Sequence, residues 1–197
     1  NDCSIEEAII AITPTLHLIP SNPLNSNLEG KIRELHKNPS IPIRKHVTPL
    51  LDKYDFILID CAPALNLTNT AIASACSMVV LPVAPDKFSQ LGLDQTLQEL
   101  HQIEADFNLN FDKKIVFTKF DGREFTSLKY LADIADRYND IRFKTAIRTC
   151  ADVKNVVTRK EDLFSYKKSN AKEDYDAFTM ELMGLDKLRK TQREVES

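Results

Sequence analysis

Glycine is scarce in this chain. The 197 residues hold four (Gly30, Gly92, Gly122 and Gly184), and all four stand alone. No Gly-x-x-x-x-Gly-Lys-[Ser/Thr], and no looser version of it, can be written anywhere, so a backbone cradle for phosphates is not legible here. Cysteine offers no framework either. Cys3, Cys61, Cys76 and Cys150 are scattered without a Cys-x-x-Cys pair, and Cys61 and Cys76 lie in or beside apolar segments, where cysteine acts as a small hydrophobe. That usage points to a reduced, cytosolic protein. No apolar run approaches the roughly 20 residues that span a bilayer, and no basic stretch leads into an apolar one at the N-terminus. The four histidines (His17, His36, His46, His101) have no metal-ligand spacing. There is no Gly-x-Ser-x-Gly elbow, no internal repeat and no low-complexity segment.

What remains is an ordinary soluble composition, 43% hydrophobic and 28% charged, long enough to bury a core. One domain is expected over residues 1–188, followed by a polar tail over 189–197. The net charge is −3, so no global basicity announces nucleic acid. The basic residues are unevenly placed, however. Between Arg142 and Lys168 there are eight Lys/Arg against three acids, a local excess that suggests an anionic partner or a solvated basic face.

Three apolar runs stand out: FILI (56–59), MVVLPV (78–83) and KIVF (114–117). None alternates with polar residues, the pattern of strands buried on both faces. Helical patterns fill the gaps at 67–75 and 90–107, the latter with Leu93, Leu97, Leu100 and Ile103 on one stripe. Another helix follows with Leu128, Leu131, Ile134 and Ala135, then a weaker strand over Lys144–Arg148. The order β-α-β-α-β-α-β predicts an α/β fold with a mostly parallel sheet and helices on both faces. Upstream, LHLIP (16–20) reads as a short strand and 26–36 and 43–53 as helices. Downstream, a helix is expected over 171–188, with Tyr175, Phe178, Leu182 and Leu185 on its apolar stripe.

In such sheets ligands bind beyond the carboxyl ends of the strands. Asp60, directly after FILI, is placed to orient a magnesium-bound water beside phosphates; a turn-capping aspartate is the plain alternative. Thr118-Lys119-Phe120-Asp121 has the form of a guanine reader, but a polar loop with its turn at Asp121-Gly122 explains the same residues.

Taken together, CSIEEAI (3–9), LHLIPSN (16–22), YDFILIDCAPAL (54–65), MVVLPVAPDKFSQLGLDQ (78–95), FTKFDGRE (117–124) and the Lys144–Arg148 strand resemble, in order, the ParA/Soj/MinD family of deviant P-loop ATPases. Partition proteins of the ParA type are the nearest match. The resemblance covers almost the whole chain. It implies ATP and magnesium as cofactors, a nucleotide-dependent homodimer that binds DNA non-specifically, a centromere-binding ParB-like partner, and a place in the cytoplasm on the nucleoid. It implies that Asp60 supports the magnesium through water and that Pro63 belongs to the turn sensing the γ-phosphate. Relatives often have two prolines in that turn, and here it reads Cys-Ala-Pro-Ala. It also implies a base-side role for Thr118, Lys119, Phe120, Arg148 and Thr149.

The family's glycine-rich loop, with its two lysines, has no counterpart here. In family terms the chain starts after the second strand. Three explanations stay open: a piece of a longer protein, which is the expectation; a truncated product; or a relative that works without nucleotide. The chain alone is expected neither to bind ATP tightly nor to hydrolyse it. An interaction module that docks on a ParA or on its partner is one alternative, and a GTPase using Lys119 and Asp121 is another.

For DNA, the leading candidates are Arg148, Lys154, Arg159 and Lys160. MinD-like relatives reach membranes through a basic C-terminal helix. Phe178, Leu182 and Leu185 followed by Lys187, Arg189, Lys190 and Arg193 superficially fit that pattern. The mixed charge of the last residues favours docking on the domain instead, so no membrane contact is expected.

Overall fold

The computed structural model describes residues 4–21, 30, 32, 38, 40–62 and 66–196, with 185–196 as backbone only. The chain divides into two compact units, residues 1–77 with 99–111 and residues 78–98 with 112–197.

In the first unit, Ile10–Thr13 (β1) and Leu16–Leu18 (β2) form an antiparallel hairpin, with Ile10 opposite Leu18 and Ala11 opposite His17. The Thr13 hydroxyl closes its turn by accepting the N–H groups of Thr15 at 3.3 Å and Leu16 at 3.0 Å. The strand expected at LHLIP is therefore present, with a partner strand that sequence reading did not name. Ser40–Val47 (α1) begins at Asn38, whose side-chain oxygen accepts the Ser40 N–H at 2.9 Å and hydroxyl at 2.7 Å. A 3₁₀ turn over Thr48–Leu50 follows, with Pro49 at its start, where no N–H is needed. The helix expected over 43–53 thus starts earlier and tightens sooner. The one expected over 26–36 lies almost wholly outside the described residues. Asn66 caps Leu67–Ala73 (α2) by accepting the Asn69 N–H at 2.9 Å, and Arg44 ties α1 to the end of α2 by donating to the Ser74 carbonyl at 3.0 Å.

The strand expected over 56–59 does not form. Residues 56–62 carry neither helical nor strand hydrogen bonding. A strand is completed by a neighbour's backbone groups, and among the described residues no strand pairs with this run. Packing does not hold it flat either, since Phe56 is 43% and Leu58 84% exposed.

The second unit is a parallel sheet in the order β3 (Met78–Val83), β4 (Asp112–Phe120), β5 (Arg142–Arg148). Lys87–Phe107 (α3) and Phe125–Arg137 (α4) make the crossovers, and Ala151–Arg159 (α5) and Asn170–Glu196 (α6) follow β5. Alternate strand residues feed two cores. Val83, Ile115 and Phe117 pack with Leu93 and Leu97 of α3 and Ile134 of α4. Val116, Phe143 and Ile147 pack on the opposite face with Tyr175, Phe178 and Leu182 of α6, the Phe143 and Phe178 rings meeting edge to face at 4.9 Å. Strands apolar on both sides therefore have helices on both sides, and the α/β class read from the sequence is the class observed. Helix α6 runs on to Glu196, past Leu188.

Among the described residues the outer side of β5 has no neighbouring strand. Glu181 of α6 accepts the Lys144 N–H at 2.7 Å, the Thr145 N–H at 3.0 Å and the Thr145 hydroxyl at 2.9 Å. A carboxylate thus closes an edge that would otherwise present bare donors. Among the described residues no helix is long and apolar enough to cross a membrane.

Candidate functional site

The carboxyl ends of β3, β4 and β5 form a rim in the second unit. After β3 the chain turns through Asp86, whose carboxylate accepts the Ser89 N–H at 2.8 Å and the Ser89 hydroxyl at 2.9 Å, starting α3. The Ser89 N–H, then the Ser89 hydroxyl, the Phe88 N–H and the charge of Lys119, hold the Asp86 carboxyl below its usual range against a partial burial that pushes it up. β4 ends with Thr118, Lys119 and Phe120. Lys119 sits in the left-handed region at φ 55°, a conformation that costs a residue with a Cβ about 1–2 kcal/mol. Lys119 falls where the register between β4 and β5 shifts, between Phe117 and Phe120, the place of a bulge in the strand.

The Thr149 N–H donates to the Phe120 carbonyl at 2.8 Å, just beyond the Phe120–Arg148 pair of the ladder. That bond brings all five base-side candidates (Thr118, Lys119, Phe120, Arg148 and Thr149) onto one short rim. Arg148 is held from its outer side by Asp174 of α6. The Asp174 carboxylate accepts the Arg148 N–H at 2.9 Å, Nε at 2.9 and 3.1 Å and Nη2 at 2.7 Å. The Asp174 side chain is only 11% exposed. This grip is the main reason the Arg148 guanidinium is held above its usual range. Asp174 escaped sequence reading because it lies beside the apolar stripe at 175, 178 and 182 and has the look of a solvated helix residue.

Asp121 is differently engaged. Both its oxygens face Arg123, at 2.9 Å to Nε and 2.7 Å to Nη2, with the Arg123 N–H at 3.0 Å. The Arg123 side chain holds this carboxyl down to about 2. The pair is a surface one, with the Arg123 side chain 90% exposed, and such pairs are readily exchanged for other partners.

Asp60 belongs to the first unit. It is exposed, and among the described residues no side chain pairs with its carboxylate. One unpaired carboxylate suits magnesium, which takes one or two from a protein and completes its octahedron with water and phosphate oxygens. Burial, and after it the Asp60 charge, pushes the neighbouring Cys61 thiol up. Pro63 lies outside the described residues. The remaining DNA candidates are together on and just after α5: Lys154, Arg159 and Lys160 are all exposed, and Lys160 ends the helix at φ 54° with its N–H on the Val156 carbonyl. Val157, one turn from Lys154, is 75% exposed.

Comparison with known proteins places this geometry. The family model described as AAA domain matches residues 1–113. The chain belongs to that family, within its ParA/Soj/MinD group. It is similar to the chromosome partitioning protein ParA of Myxococcus xanthus, 25% identical over 203 residues that cover 99% of this chain and 70% of the relative. Among solved structures it resembles a plasmid partition protein of Borrelia burgdorferi bound to AMPPNP, with TM-score 0.75, 20% identity, and coverage of 93% and 70%. It also resembles cobyrinic acid a,c-diamide synthase of Mycobacterium smegmatis with a bound ATP analogue and magnesium, with TM-score 0.67, 21% identity, and coverage of 75% and 59%. The chain spans about half the length of several curated relatives, 46% of one and 56% of another. The ParA-like P-loop fold is thereby shown.

Proposed function

We propose that this chain is the base-side and DNA-side part of a ParA-like partition ATPase. The carrying observation is the Thr149 N–H on the Phe120 carbonyl, which gathers the candidate base contacts at the carboxyl ends of two parallel strands, where such folds bind ligands. Thr118, Lys119, Phe120, Arg148 and Thr149 would flank adenine, with Asp121 paired to Arg123 beside them. Asp60 would orient a water of the magnesium, and Pro63 would lie in the turn that meets the γ-phosphate. Magnesium would supply neutralisation of phosphate charge. No glycine-rich loop can be written in these residues, so hydrolysis is assigned to a protein that also carries one.

Lys154, Arg159 and Lys160 would contact DNA phosphates, while Arg148, gripped by Asp174, serves the rim. Closing of a homodimer on ATP, release through a ParB-like partner, action on plasmid or chromosome, and a cytoplasmic, nucleoid-bound location complete the reading. A second reading is a module that docks on an intact ParA or its partner. Loss of partner-stimulated hydrolysis on adding this chain would support that reading.

The test is titration of the chain with a fluorescent ATP analogue in magnesium, with ATP and GTP as competitors. Saturable but weak binding is expected, with a Kd on the order of 0.1–1 mM, and with ATP the better competitor. Equal competition by GTP, or no saturation, would overturn the nucleotide reading. In gel shifts, replacing Lys154, Arg159 and Lys160 by alanine should lower the log–log salt slope of DNA binding by about 2–3.

A further inference from the structure

The end of β5 is held from two sides. Successive backbone N–H groups of a strand point in opposite directions. Here the Arg148 N–H points outward to Asp174 at 2.9 Å, and the Thr149 N–H points inward to the Phe120 carbonyl at 2.8 Å. The same Asp174 carboxylate also receives Nε and Nη2 of Arg148, and Nη2 lies 3.4 Å from the Asn170 carbonyl and 3.7 Å from a Glu173 oxygen. An almost buried carboxylate therefore fixes backbone and side chain of one residue together. Such charge-assisted, multiply bonded contacts are the strong ones.

We infer that Asp174 is the positioning residue of the base-side rim: through Arg148 it fixes the spacing between segments 118–121 and 148–150, and with it the slot offered to a purine. This rests on the nucleotide reading above. Beyond Arg148 the ladder to β4 continues only through the Thr149–Phe120 bond before the chain leaves for α5. On the β4 side the left-handed Lys119 sits where the register to β5 shifts between Phe117 and Phe120, so the ladder is already irregular there. Neither segment is long enough to hold its own place, and the grip of Asp174 supplies what the ladder lacks at that point.

A built-in comparison separates positioning from plain support. Glu181 does similar work for the Lys144 and Thr145 N–H groups in the middle of β5, away from the rim. Asp174→Ala, Asp174→Asn and Glu181→Gln would be compared with the wild-type chain by amide hydrogen exchange and by titration with the fluorescent ATP analogue.

Asp174→Ala should speed exchange of the Thr149 amide by ~10-fold or more and weaken the nucleotide by a similar factor. Asp174→Asn, which keeps an acceptor for the Arg148 N–H, should recover part of both. Glu181→Gln should lower the melting temperature but leave Thr149 exchange and nucleotide affinity unchanged. Unchanged Thr149 exchange in Asp174→Ala would overturn the inference, as would equal loss of affinity in Asp174→Ala and Glu181→Gln. Failure of the wild-type chain to bind the analogue would overturn the nucleotide reading, while the exchange data still decide whether Asp174 sets the rim.

Discussion

Phe56–Ile59 and Ile115–Phe117 are equally apolar and equally suited to a buried strand, yet they behave in opposite ways. In β4, Ile115 is fully buried and Phe117 is 2% exposed, with a strand on each side and helices above and below. In the other run Leu58 is 84% exposed and the backbone has no ladder. Composition makes a segment eligible for a sheet. Neighbours decide whether it enters one.

The comparison can be broken most directly by truncating both runs. Phe117→Ala should cost about 3–5 kcal/mol in urea unfolding, whereas Leu58→Ala should fall within about 0.5 kcal/mol. A comparable loss for Leu58→Ala would mean that the run is packed in solution.

A second, smaller effect concerns how an edge is closed without a strand. Glu181→Ala leaves the Lys144 and Thr145 N–H groups without their acceptor and should cost about 1–3 kcal/mol. The sign of its pH dependence follows from the carboxyl itself. Burial pushes Glu181 up, but the Lys144 and Thr145 N–H groups and the Thr145 hydroxyl outweigh it, so the folded value lies below the ordinary 4.5. Its stabilisation is complete above the unfolded value and fades as pH falls through the folded one. The stability gap between wild type and Glu181→Gln should therefore narrow on acidification below about pH 4.5; a gap that widens would refute the assignment.

Within the first unit, order rests on local devices rather than a sheet of three. Asn66→Ala, which removes the cap of α2, should cost about 1 kcal/mol, read by chemical denaturation. The smallest expected change has the opposite sign. Lys119→Gly relieves a left-handed residue and should stabilise the chain by about 0.5–1 kcal/mol once the added freedom of the unfolded chain is subtracted. It should weaken nucleotide binding at the same time, a trade visible only if stability and affinity are measured on the same samples.

The two core strands and their helices were legible because burial leaves a period in the sequence. The runs at 78–83 and 114–117 and the stripe of Tyr175, Phe178 and Leu182 met as their spacing implied. The failure at 56–59 has a physical cause, since pairing is non-local and no residue of the run encodes its neighbour. The rim was half legible. Thr118–Phe120 and Arg148–Thr149 were identified by resemblance and do meet. The turn expected at Asp121-Gly122 is there, closed by the Glu124 N–H on the Asp121 carbonyl at 3.1 Å, whereas the left-handed Lys119 before it left no mark in the sequence. Asp174 was invisible because a carboxylate aimed at a backbone N–H has no period and no motif.

Asp174 and Glu181 are seven residues apart on α6, about 10.5 Å of helix, and the N–H groups they serve, at Arg148 and at Lys144 and Thr145, lie roughly 10–13 Å apart along β5, across a stretch where the register to β4 shifts. Helix and strand are thus matched like two scales with different divisions that coincide at two marks. Inserting one residue between 174 and 181 would swing one carboxylate by about 100° around the helix, releasing one of the two held points of β5 while keeping every existing side chain. The segment should therefore tolerate substitution far better than any change in length, whereas the surface turn at 121–124 should accept insertions freely.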